Sequence, residues 1–213
     1  MKDDVSTREA MCEVGSRLWQ KGLVAGNEGN ITVRTTRGTV LATPGGVSKG
    51  HLRPEAIVEV DMEGNSVGGG KPSSEIRIHL QAYKQRADCH AVVHAHPPTA
   101  TAFTVAGEAI PDDILPEAAY VLGQVPTVPF GMPGTRELSD ALEPFLDHHK
   151  TFLLSHHGAM TLGKEVYDAC YRMECLESVC KVLLVARLLG GARPMPPDAY
   201  KVFQAMAMDG GLR

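Results

Sequence analysis

The octapeptide Ala91-Val92-Val93-His94-Ala95-His96-Pro97-Pro98 combines an apolar, β-branched start with a double proline stop. The first part reads as a short buried strand. The prolines end it, because each lacks a backbone N–H and biases the residue before it away from helical geometry. A helical segment from Thr99 to Ala106 follows. Residues two apart in a strand point to the same face, so His94 and His96 would stand side by side on one surface of a sheet.

Outward from this strand, Asn30 to Arg34 and Thr39 to Ala42 alternate or carry β-branched residues around a short Thr-Arg-Gly turn, which predicts a hairpin. Further strands are expected at Ala56 to Asp61, Val125 to Phe130 and Thr151 to Ser155, with a helix from Glu137 to Leu146 between the last two. Helical spacing of apolar residues marks Ser6 to Leu23, Glu75 to Gln85, Val166 to Leu189 and about Pro197 to Met208. Hairpin-connected strands with helices laid over them predict a layered α/β sandwich whose central sheet is mainly antiparallel.

The 213 residues fit a single domain spanning 1–213, with no linker, repeat or low-complexity tract to divide them. A formal charge of -4 gives no field for nucleic acid or an anionic bilayer. No apolar run approaches the roughly 20 residues of a membrane span, and the N-terminus has no export signal. The five cysteines are odd in number and lack CxxC spacing, as reduced thiols would. A cytoplasmic location is therefore expected.

Chemistry enters with the histidines. Beside His94 and His96, the pair His156-His157 follows an apolar strand and precedes Gly158, a turn able to bring a third imidazole to the same sheet end. Three nitrogen ligands with one open position make a catalytic zinc site rather than a structural one. His51, His79, His90, His148 and His149 have no such context. Glu75 follows Ser73 and Ser74 at a helix start, where the dipole favours a carboxylate whether or not it has a catalytic task. Gly29-Asn30, Thr43-Pro44-Gly45-Gly46 and Ser73-Ser74 offer backbone N–H groups and small hydroxyls suited to a phosphate dianion, and are also ordinary turn and cap chemistry.

Taken in order, these segments, with Lys71-Pro72 before the serines and Gly134-Thr135-Arg136-Glu137-Leu138 before the late histidines, resemble the class II aldolase/adducin family over nearly the whole chain. The resemblance implies that His94, His96 and His157 bind one divalent ion, Zn2+ by expectation. It makes Glu75 the acid/base, able to touch the metal when substrate is absent. Gly29, Asn30, Gly45, Gly46, Ser73 and Ser74 take phosphate-site positions, with Gly45 standing where the family's aldolases have threonine. A homotetramer with sites at subunit junctions, and cleavage of a ketose 1-phosphate to dihydroxyacetone phosphate and a short aldehyde, are implied likewise. One departure concerns substrate. The aldehyde-side tyrosine after the HxH helix is Leu115 here, with Glu117 and Tyr120 nearby as candidate replacements, and the C-terminal tyrosine has no equivalent near Gly210. A phosphosugar dehydratase or epimerase on the same scaffold is the alternative, and an adducin-like assembly domain without catalysis a remote one.

Overall fold

The computed structural model describes residues 4–208, so the position near Gly210 lies outside the described residues. Helices α1 (Asp4–Gln20), α2 (Ile76–Gln85), α3 (Pro98–Ala106), α4 (Arg136–Leu142), α5 (Val166–Leu188) and α6 (Pro197–Met208) accompany seven strands. These are β1 (Asn30–Arg34), β2 (Val40–Ala42), β3 (Val58–Val60), β4 (Ala91–Ala95), β5 (Thr127–Val128), β6 (Thr151–Leu154) and β7 (Gly158–Gly163). They form one sheet in the order β3-β2-β1-β4-β7-β6-β5. Every pairing is antiparallel except β5 with β6. The expected layered α/β architecture with a mainly antiparallel sheet is the one observed.

Alternation along β4 explains the layering. Ala91, Val93 and Ala95 face a core shared with α1, α3 and α5 through residues such as Met11, Leu18, Phe103 and Met173. Val92 faces the other way, into a second core with Ile78, Tyr83, Leu138 and Met160. Both faces of the central strands are thus apolar and need helices over them, since each fully buried Leu or Phe contributes about 1.5–3 kcal/mol. His94 shares the parity of Val92, which directs it to the α2 side of the sheet, where Glu75 stands at the helix start.

Several expectations shift at their boundaries for local reasons. The strand foreseen over Val125 to Phe130 contracts to Thr127–Val128, because Pro126 and Pro129 flank it and offer no ladder N–H. The helix foreseen to Leu146 gives way to a 3-10 turn at Glu143–Phe145, where Pro144 removes a helical donor. The π-turn at Ala118–Leu122 and strand β7 were not expected at all. Gly158-Ala159-Met160-Thr161-Leu162-Gly163 has glycine at both ends and a single β-branched residue, so little local preference for a strand. Tertiary context overrides this: β7 is buried throughout and pairs with β4 on one side and β6 on the other.

The β4–β7 contact depends on Gly158. A Cβ there would lie 2.5 Å from the Ala95 carbonyl oxygen and 2.8 Å from Cδ2 of His96. Both atoms belong to the strand end that presents the histidines. Gly158→Ala is expected to lower stability by about 1–3 kcal/mol through this overpacking. Equilibrium urea unfolding measures the loss, and an unchanged midpoint would show that the strands can separate freely.

Candidate metal centre and acid/base

Three imidazoles converge at the end of β4. His94 is fully buried, and its Nδ1–H donates to the Ala159 carbonyl at 2.9 Å, across the β4–β7 pairing. A carbonyl can only accept, so this bond sets the tautomer and leaves the Nε2 lone pair free to point outward. His96 Nε2 lies 3.2 Å from His94 Nε2. The third ring, His157, has its centroid 4.8 Å from that of His94 and 4.9 Å from that of His96.

The two adjacent histidines of the late turn are separated by backbone geometry. His156 has φ of 54°, a left-handed conformation uncommon outside glycine, and donates its N–H to the Thr104 hydroxyl at 3.1 Å. This turn leaves the His156 side chain exposed and brings His157 into the cluster, while the His157 N–H donates to the Leu154 carbonyl at 3.0 Å. The bare His-His pair allowed either residue, the family resemblance implied His157, and it is His157 whose ring stands with those of His94 and His96.

Glu75 completes the group from the opposite element. It occupies the boundary of α2 rather than its first turn, with φ -92° and ψ 11°, and that placement aims its carboxylate across to the sheet. Its Oε2 lies 3.2 Å from His94 Nε2 and its Oε1 3.1 Å from His157 Nε2. Burial acts to raise the Glu75 pKa, but the His157 and His94 imidazoles outweigh it and hold the carboxyl well below the usual range. The His96 pKa is lowered as well, to about 3, first by burial and then by repulsion from His94 and His157. A neutral imidazole keeps the lone pair that a metal needs.

The residues present fit a divalent cation. One nitrogen from each of His94, His96 and His157 lies within 4.8 Å of the others, an arrangement in which lone pairs crowd together unless a positive charge sits among them. An outer partner is in place as well: Glu28 Oε2 stands 3.8 Å from His96 Nδ1, the nitrogen turned away from the cluster.

The turns expected to hold phosphate gather beside Glu75. The loop at Thr43–Gly45 pairs with the segment at Lys71–Ser73, through Gly45 N–H to the Lys71 carbonyl and Ser73 N–H to the Thr43 carbonyl, each 3.2 Å. Asn30 joins this loop pair to the acid/base, its Nδ2 donating to Ser73 Oγ at 3.2 Å and to Glu75 Oε2 at 3.1 Å. Gly29 must be glycine, since its φ is 72° and a Cβ would meet the His94 carbonyl oxygen at 2.9 Å. Gly46 and Ser74 are exposed at the mouth of this cradle, and Gly134 packs against Ser74. Ser73 also accepts the Glu75 N–H at 3.4 Å, so its capping role and its place in the cradle coexist.

Glu117 and Tyr120 do not join the cluster in this chain. Glu117 is exposed at the start of the π-turn, and the Tyr120 ring stacks on Phe203 at 6.1 Å. Tyr120 lines a groove of about 980 Å³ with Arg86, His149, Lys150 and Lys164, at the end of the sheet away from His94. That groove has mixed charge, with Asp147, Glu165 and Asp168 among the bases, and no convergent donor set. Leu115 is part-buried against the apolar core. Lys49 escaped the sequence reading altogether: it is 1% exposed beside the cradle, in a segment whose pattern carries no signal for a buried charge.

Known proteins are similar to this chain in sequence and fold. The family description Class II Aldolase and Adducin N-terminal domain matches residues 9–184. A 3-oxo-tetronate 4-phosphate decarboxylase from Pectobacterium atrosepticum is 34% identical over 189 residues, covering 87% of each chain. An L-fuculose phosphate aldolase from Methanococcus maripaludis is 32% identical over 165 residues, 78% of this chain and 89% of that one. Among solved structures, Escherichia coli YgbL, for which aldolase, epimerase and decarboxylase are given as alternatives, superimposes with a TM-score of 0.88 at 29% identity, over 94% of this chain and 99% of that one. The chain belongs to the class II aldolase and adducin family. It is a metal-dependent carbon–carbon lyase by that membership, with the histidine set of a divalent-metal enzyme in place.

Elemental analysis is expected to find about one divalent ion per chain, as one three-imidazole site holds. His94→Ala and His157→Ala should each lose most of it, and His156→Ala should retain it. Full retention in the first two would remove the cluster from metal binding.

Proposed function

We propose that the protein is a decarboxylase acting on a four-carbon 3-oxo sugar acid phosphate and releasing dihydroxyacetone phosphate. The observation that carries this reading is the 34% identity over 189 residues to a 3-oxo-tetronate 4-phosphate decarboxylase, combined with a complete His94, His96, His157 and Glu75 set. The resemblance read from the sequence adds Leu115, a hydrocarbon where it implies a tyrosine in the family's ketose 1-phosphate aldolases. An aldehyde can leave only if the proton of its hydroxyl is taken away as the bond breaks. Carbon dioxide leaves from a carboxylate, which has no such proton. A site without the aldehyde-side tyrosine has therefore lost a group that decarboxylation does not use. The overlap with the 3-oxo-tetronate 4-phosphate decarboxylase, longer than that with the aldolase, supports the same choice.

In a 3-oxo acid carrying phosphate at C4, breaking the C1–C2 bond releases CO2 and leaves the electron pair on C2, conjugated with the C3 carbonyl. A divalent ion held by His94, His96 and His157, zinc being the one this donor set favours, would supply Lewis-acid stabilisation of the negative charge that develops on the carbonyl oxygen. Gly29, Asn30, Gly45, Gly46, Ser73 and Ser74 bind the phosphate and so fix which carbon faces Glu75. Protonation of C2 consumes one proton from solvent, which Glu75 takes up and passes to that carbon, while Asn30 holds the carboxylate in line by its bond to Oε2. The three-carbon product equals the one that a ketose 1-phosphate would leave by losing an aldehyde. Aldol cleavage is thus the second reading, favoured by the fuculose phosphate relative.

The family's tetrameric assembly belongs to the same proposal, and exposed Val185, Leu188 and Leu189 at the end of α5 provide apolar surface for it. The five unpaired cysteines suit a reducing cytoplasm.

Metal-loaded protein given 3-oxo-tetronate 4-phosphate is expected to release CO2 and dihydroxyacetone phosphate, and to be far slower with ketose 1-phosphates. Aldehyde release from a ketose 1-phosphate at the higher kcat/KM would reverse the two readings. Glu75→Gln tests the shared half-reaction without either leaving group. Exchange of the C3 protons of dihydroxyacetone phosphate with solvent deuterium, followed by NMR, should fall by roughly 100-fold or more while metal is retained. Exchange at the parent rate would take the proton transfer away from Glu75.

A further inference from the structure

Lys49 is the most deeply buried charged residue near the site, with 1% of its surface exposed. Its ammonium donates to the Asn27 carbonyl at 2.8 Å and to the Val47 carbonyl at 2.7 Å. Asn27 lies two residues before Gly29, and Val47 one residue after Gly46, so the lysine spans the two glycine loops that the phosphate reading places on either side of an anion. An ammonium has three N–H groups, and these two carbonyls account for two of them.

Burying a charge is costly unless it is paired, and two neutral carbonyls pair it only in part. We propose that Lys49 is the positioning residue of the anion cradle: its ammonium holds the Gly29 and Gly46 loops at a fixed separation and supplies the positive charge that a phosphate dianion meets there. This rests on the phosphate site proposed above. A solvated surface lysine would be drawn to anions from all sides and would order nothing. A buried one is screened little by salt and acts on the cradle alone.

The surroundings are consistent with a charge kept in reserve for an anion. Glu28, from the loop before β1, and Glu75, at the start of α2, are the ionised groups that act on it. The face of α1 packed on this turn presents Gly15 and Trp19, with the Trp19 ring against His51. Burial pulls the Lys49 pKa down to about 8, against the opposing pull of Glu28 and Glu75. The ammonium is therefore charged below about pH 8 and progressively neutral above it, so its attraction for an anion is present at neutral pH and is lost as pH rises.

The test is titration of the metal-loaded full chain with inorganic phosphate, by calorimetry, between about pH 7.5 and 9.5, where phosphate is mainly a dianion. Lys49→Met removes donor and charge; Lys49→Gln keeps a donor without charge. Both are expected to bind phosphate about tenfold or more weakly at the lower pH, the scale of one partly screened charge several ångström away. The decline of affinity above about pH 8 expected of the parent should be absent from both. Ser73→Asp, which sets a negative charge in the cradle, serves as the reference. Weakened binding in Ser73→Asp with parent affinity in Lys49→Met or Lys49→Gln would overturn the role of Lys49 alone. Parent affinity in Ser73→Asp would show that phosphate binds elsewhere and would overturn the cradle with it.

Discussion

The antiparallel pairing of β4 with β7 sets the position of everything that follows. It joins Ala95 to Ala159 and His94 to Met160, and the Ala159 carbonyl in turn takes the Nδ1 proton of His94. The strand that orients the first imidazole is also the strand whose entry delivers the third, because His157 immediately precedes Gly158. No side chain fits at position 158, where a Cβ would press on the Ala95 carbonyl. Strand separation, imidazole tautomer and ligand convergence are consequences of one close backbone approach.

Around that pairing, buried polar side chains are linked in short hydrogen-bonded chains, while Asn30 Oδ1, His79 Nε2 and His157 Nδ1 have no hydrogen-bond partner in the protein. Asn30 donates both to Ser73 and to Glu75, which couples the proposed phosphate cradle to the proposed acid/base. Thr32 on the next turn of the same strand bonds His79 Nδ1 and Tyr83 OH, each at 2.8 Å, behind the site. Burial drives His79 down to about 3, so it is a neutral hydrogen-bonding spacer rather than a charge competing with the metal centre. Buried networks of this kind are stabilising only when most members are paired, and they hold a single arrangement when they are.

On the proposed reading, a cation among three imidazoles, a carboxylate beside it and a phosphate cradle would serve to form and protonate a three-carbon enolate, and groups outside this set would decide what leaves from the far carbon. Relatives of this chain carry names as different as decarboxylase and aldolase.

Local chemistry in the sequence determined much of this protein. A short apolar, β-branched run stopped by a double proline marks β4, the i, i+2 spacing gives His94 and His96 a shared face, and the late His-Gly turn marks the third histidine to within one residue. The layered architecture, the helices and the hairpin of β1 and β2 follow from periodicity and turn residues in the same way. Tertiary structure alone decided the rest. Strand β7 has weak local preference and exists because two neighbouring strands need its backbone groups. His157 was implied by the family resemblance, but what turns its ring rather than that of His156 into the cluster is a left-handed backbone that Thr104, more than fifty residues away in the chain, helps to hold. The placement of Glu75 opposite the histidines requires α2 and β4 to lie on facing layers. Lys49 carries no mark in its own segment, because the carbonyls that accept its protons come from two loops that meet only when the chain is folded.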